Sequence, residues 1–252
     1  MRRGADRSVS PAPHSVHRTR LLLPLLVAPA CLTEPTHLPR VDLPAGVSVV
    51  VEGVPGTTQE VIPVYVRPDL PVDGTARNFA GKPGWVEVRS ATNRHFPFVV
   101  AHEYVHASLG PDWSSLPEIV EEALCTRLAK RFAPEETFET IAEHFESLLL
   151  EVRLSTYSQP YDVDWSHLPD RSWYRDPTPG HMIALGVAHA IANRIPVETL
   201  HQLCLQATAE GYEQIPDEWL LRRAEPVNSD KTGPARIEEI VLRWLQDQGP
   251  AD

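Results

Sequence analysis

The chain has 252 residues, 42% of them apolar and 23% charged, enough to bury a core without disulfide or metal staples. A net charge of -11 argues against a nucleic-acid partner, because phosphate binding needs clustered Lys and Arg. Three cysteines, Cys31, Cys125 and Cys204, contain no CxxC pair, which excludes a disulfide framework and a cysteine zinc site. One bridge between Cys125 and Cys204 stays open.

In chain order, residues 1–31 read as a leader. Arg18 and Arg20 precede an apolar run, residues 21–27, and Ala28-Pro29-Ala30 forms a small-x-small site before Cys31. The run is too short to span a membrane. The pattern predicts export, with a lipidated Cys31 as the one route to membrane attachment. The alternative is an Arg-rich leader on a cytoplasmic protein. A Pro-rich linker follows over 32–44, and residues 45–250 read as a single domain.

Within that domain, "VSVVVE" at 47–52, "VIPVYV" at 61–66 and "GWVEVRS" at 84–90 predict three strands. Asp73-Gly74 reads as a turn between two of them. From Pro97 the hydrophobic period becomes helical. The first helix holds "FVVAHEYVHASL" at 98–109, the second covers 117–132, and a third starts at Pro134. Residues 155–178 read as a loop. Further helices fit 180–194, 197–210, 217–224 and 235–248. Strands first and helices after predict an α+β architecture, a small N-terminal sheet followed by a mainly helical part, with the HExxH helix at the junction.

The stretch "VAHEYVHASL" carries the chemistry. Residues four apart on a helix differ by about 40°, so His102 and His106 project from one face and suit one metal ion. Glu103 is turned about 100° from His102. It is placed beside such an ion rather than on it, as a base that takes a proton from water. Zinc in a hydrolytic site needs a third protein ligand and one open position. Glu122 and Asp112 are both within reach in sequence. His189 and His201 fall in helical patterns and read as satisfied structural histidines.

"FPFVVAHEYVHASL" with "LPEIVEEALCTRLA" resembles the gluzincin metallopeptidases, the thermolysin-like and aminopeptidase-N-like clan, and within it the peptidase-MA-like domains. The resemblance implies a zincin-like fold, a Zn2+ cofactor, Glu122 as third ligand, and hydrolysis of a peptide or protein substrate. Glu122-Ala123-Leu124-Cys125 stands where the family has Glu-Gly-Leu-Ala, and Glu121 immediately precedes it. Asp112 sits where metzincin-like enzymes place their third ligand, but the sharp turn those enzymes need has Leu109 at its glycine position. The resemblance also implies an oxyanion donor downstream, for which Tyr174 and His181 are the candidates. It sets 84–90 beside the cleft as a strand that a peptide could join. The alternative reading is a zinc-stabilised binding or cell-envelope protein without turnover.

Overall fold

In the computed structural model the described residues are 34–58, 60–79, 82–133 and 179–225, with 236, 239, 240, 242 and 243. The chain divides into two units, Met1–Glu34 and Pro35–Asp252. The leader with Cys31, the helix from Pro134, the 155–178 loop with Tyr174, and most of 235–248 lie outside the described residues.

Four strands form one sheet: β1 (Arg40–Val41), β2 (Val64–Val66), β3 (Gly74–Phe79) and β4 (Lys82–Val88), in the order β1-β2-β4-β3. β2 and β4 run parallel, with Val64 opposite Val86, while β1/β2 and β3/β4 are antiparallel. The five described α-helices are α1 (Phe96–Ser108), α2 (Glu118–Ala129), α3 (Pro179–Arg194), α4 (Val197–Ala209) and α5 (Asp217–Ala224). The protein is α+β, strands before helices, as the sequence predicts.

Alternation decides what the sheet buries. Val64, Val86 and Val88 are fully buried on the face under α1, against Val100, Ala101 and Val105. Each such valine contributes about 1.5–3 kcal/mol relative to exposure. Between Val86 and Val88, Glu87 points the other way yet is 1% exposed. Its charge is matched there: Trp85 Nε1 donates to it at 2.8 Å and Arg67 lies 3.0 Å away.

Proline starts the helices. Pro117, Pro196 and Pro216 stand in extended conformation immediately before α2, α4 and α5. Each is followed by acidic residues in the first turn, which favour the positive end of the helix. α1 has Pro97 within its own first turn. Cys125 and Cys204 are buried free thiols, so no bridge joins them.

Three strand expectations are corrected. Residues 47–52 are not a strand: Val47–Val51 is a 3-10 helix, entered through Gly46 at φ 81. A strand needs a partner to pair with, and among the described residues no strand pairs with it. The wound form buries Val47, Val50 and Val51 and leaves Val49 outside. Of "VIPVYV" only Val64–Val66 pairs, because Pro63 has no N–H; its carbonyl instead accepts from Val86 N–H at 2.9 Å. Asp73-Gly74 does not close a turn between strands. Gly74 opens β3, a strand that contains the weak β-formers Gly74, Ala76 and Asn78 and is held by pairing with β4. β3 therefore takes the sheet edge, and β4, bonded on both sides, has no free ladder for a peptide.

Candidate metal centre

α1 carries His102 and His106 one turn apart, and its C-terminal end is tied to the loop before β2. Ser108 O accepts from Thr58 N–H and Gly56 O accepts from Gly110 N–H, both at 2.9 Å. The chain reverses in the short 3-10 turn Pro111–Trp113, where Trp113 is buried and donates Nε1–H to Pro55 O at 2.8 Å. It then returns as α2. The reversal lays one face of α2, bearing Glu121, Glu122, Cys125 and Thr126, against the two histidines.

Potential ligand atoms of three side chains converge. His102 Nε2 lies 3.1 Å from Glu122 Oε2, His106 Nε2 lies 3.2 Å from His102 Nε2, and His106 Nε2 lies 3.5 Å from Glu122 Oε1. Zinc–ligand bonds of about 2.0–2.2 Å in a tetrahedron put neighbouring ligand atoms about 3.3–3.5 Å apart. The observed separations of 3.1–3.5 Å come close to that spacing, and the donor set, two imidazoles and a carboxylate, is one that zinc accepts.

The far nitrogens of both rings are held as well. His106 Nδ1–H donates to Glu121 Oε1 at 2.7 Å, and Thr126 Oγ1 stands 3.3 Å from His102 Nδ1. A carboxylate can only accept, so Glu121 fixes the proton of His106 on Nδ1 and leaves the Nε2 lone pair for an ion. Thr126 can accept in the same way from His102. Both histidine side chains are mostly buried, and Glu122 is one-third exposed. The site is thus neither sealed nor washed by bulk water.

The local electrostatics are strongly coupled. Burial works against the Glu122 carboxylate, yet hydrogen bonds with His102 and His106 outweigh it and hold its pKa well below the ordinary carboxylate range. Burial would also lower the pKa of His106, but its contact with Cys125 and the carboxylates of Glu121 and Glu122 raise it well above the usual value. An ionised Glu122 carboxylate beside the two imidazoles supplies the negative charge that a divalent cation bound there would need.

His106, Glu121 and Cys125 form a second group of possible ligands within 4.8 Å of one another. It is the poorer cradle. Burial pushes the Cys125 thiol up to about 12, and Glu121 is already engaged with the same His106 nitrogen.

Glu103 lies against the start of β3: a Cβ on Gly74 would stand 2.8 Å from its Cγ and 3.3 Å from its Oε1. It is on α1 but not among the converging ligands. Asp112 is turned away from His102 and His106, with its carboxylate 3.7 Å from His201 Nε2. His181 is in the first turn of α3. Its side chain, like all of Tyr174, lies outside the described residues.

Several contributors were not read from the sequence. Glu121 and Thr126 act on the histidines from positions that only the α1–α2 packing reveals. The one available signal was their spacing around Glu122 on a single helical face. His189, expected to be structural, is buried on α3 and lies within electrostatic reach of the centre. Burial, with the nearby His102, lowers its pKa to about 4, while Glu122 works the other way. His201 is not a satisfied histidine: both ring nitrogens are buried without a hydrogen bond, and the ring packs on Trp113.

Glu121→Gln removes the charge but keeps an oxygen that can accept from His106. Zinc affinity, read by competition with a chromophoric chelator, is expected to fall by about 10–100-fold. Unchanged affinity would deny Glu121 this supporting role. Compared with known proteins, the chain matches no family model, no curated protein and no solved structure.

Proposed function

We propose that the chain is a zinc-dependent metallohydrolase, a peptidase of the gluzincin kind with a zincin-like fold. His102, His106 and Glu122 hold the ion, and a peptide or protein is the substrate. The observation that carries the reading is the convergence of His102, His106 and Glu122, with contacts of 3.1, 3.2 and 3.5 Å, and with Glu121 and Thr126 behind the two rings. Such backing is what a metal histidine requires and what a surface histidine pair does not.

The ion supplies a Lewis acid that polarises a scissile carbonyl and acidifies water. The chain's own groups do the rest. Glu103, on the neighbouring face of α1, takes the proton of the attacking water and later delivers it to the leaving amine. His106 keeps its orientation because Glu121 holds Nδ1–H, and His102 because Thr126 meets its Nδ1. Tyr174 and His181 are the residues assigned to the oxyanion. β3, the last strand in the order β1-β2-β4-β3 of the described sheet, is the strand along which an extended peptide would lie.

Protein purified without chelator is expected to carry about one zinc ion per chain, the stoichiometry of a single three-ligand site. Elemental analysis by plasma mass spectrometry measures it. Protein that holds no zinc and takes up none when it is added would overturn the reading. Zinc without turnover on a mixed peptide library would leave the rival, a zinc-stabilised binding or envelope protein.

A further inference from the structure

We infer that Gly74 is a positioning residue for Glu103, an inference that rests on the proposed hydrolytic reading. Gly74 is the first residue of the edge strand β3 and faces α1. A Cβ added to it would stand 2.5 Å from Val99 Cγ1, 2.8 Å from Glu103 Cγ and 3.3 Å from Glu103 Oε1. Carbon atoms in ordinary contact are about 3.5–4.0 Å apart. Even one methyl group at 74 would therefore force a displacement of roughly 1 Å.

Backbone conformation is not the reason for glycine here. The φ of Gly74 lies outside the left-handed region, so alanine could adopt it. What the position requires is the missing side chain, the usual meaning of a strand glycine that another element approaches closely. The strand start has little freedom to retreat: Gly74 pairs with Val88, and Asp73 O accepts from Arg89 N–H at 2.9 Å. On the helix side the two neighbours differ. Val99 is β-branched and confined to one favoured rotamer in a helix. Glu103 is unbranched, with three side-chain torsions, and yields more readily. Space taken at 74 is thus transferred to the Glu103 carboxylate. The bare strand start sets where that carboxylate lies over the sheet edge, one residue along α1 from His102. For a proton-transfer group, a 1 Å misplacement is enough to cost about a hundredfold in rate.

Gly74→Ala in the full chain tests this, beside wild type and Glu103→Gln, each loaded with zinc and, separately, with cobalt. The variant is expected to bind one metal ion and to keep KM within about threefold, while kcat falls by about ten- to a hundredfold. Its cobalt absorption spectrum is expected to move away from wild type in the same direction as that of Glu103→Gln. A role confined to helix–sheet packing would lower Tm but leave kcat and the cobalt spectrum at wild-type values, and that result overturns the inference while the metallohydrolase reading stands. If Gly74→Ala does not fold, Gly74→Ala/Val99→Ala, which removes the tighter clash, is judged by the same two readouts. Wild type that binds neither ion would overturn the inference together with the reading beneath it. Wild type that binds metal without turnover leaves the cobalt spectrum to decide.

Discussion

Glu103→Gln is expected to fold normally, keep its zinc and lose peptide hydrolysis by at least about a hundredfold, the scale of general-base removal. The glutamine keeps size and hydrogen-bonding capacity, so the packing on Gly74 and Val99 survives. What disappears is the group that accepts a proton. The zinc should stay because Glu103 is not among the converging ligand atoms, which come from His102, His106 and Glu122. Steady-state kinetics with metal analysis on the same preparation decides the matter. Equal hydrolysis by wild type and variant would show that Glu103 is not the base. Loss of zinc instead would make Glu103 a support of the metal, and the base would have to be sought elsewhere.

Glu122→Ala is expected to give the largest loss of zinc affinity among the carboxylate variants. A structural zinc site is worth about 10–16 kcal/mol over four ligands, so one ligand's share is about 3 kcal/mol, or two to three orders of magnitude. Glu121 touches the imidazole and is not among the converging ligands, so its variant should lose less. Asp112→Ala should leave affinity unchanged, since that carboxylate faces His201. Chelator competition on the three variants gives the ranking. The greatest loss at Asp112 would point to a metzincin-like ligand set, and the greatest loss at Glu121 to a centre shifted by one residue along α2.

The described helices were legible in the sequence because a helix is written locally. The apolar period placed helices at 180–194, 197–210 and 217–224, and the structure has α3, α4 and α5 within a residue of those bounds. The same locality puts His102 and His106 on one face, since four residues along a helix fix both separation and direction. Strands are not written locally. Four of residues 47–51 are β-branched valines, yet the segment winds into a 3-10 helix, and among the described residues no strand pairs with it. Residues 74–79 include the weak strand formers Gly74, Ala76 and Asn78, yet pair because β4 supplies the ladder. Which strand became the edge depended on that pairing and could not be read from either segment alone.

The centre divides in the same way. Residue types and spacing on α1 pointed to an ion and to a base beside it. The choice among Asp112, Glu121 and Glu122 belongs to a chain reversal, and the turn Pro111–Trp113 with the α1–α2 packing sends Asp112 toward His201 and brings Glu122 to 3.1 Å from His102. The hydrogen bonds that set the tautomers, from Glu121 and Thr126, and the bare Gly74 under Glu103, join residues 15 to 29 positions apart. No periodicity encodes such meetings. They exist because burying the apolar faces of α1, α2 and the sheet leaves one way to stack them, and the polar groups that stacking brings together are what the tertiary structure alone decides.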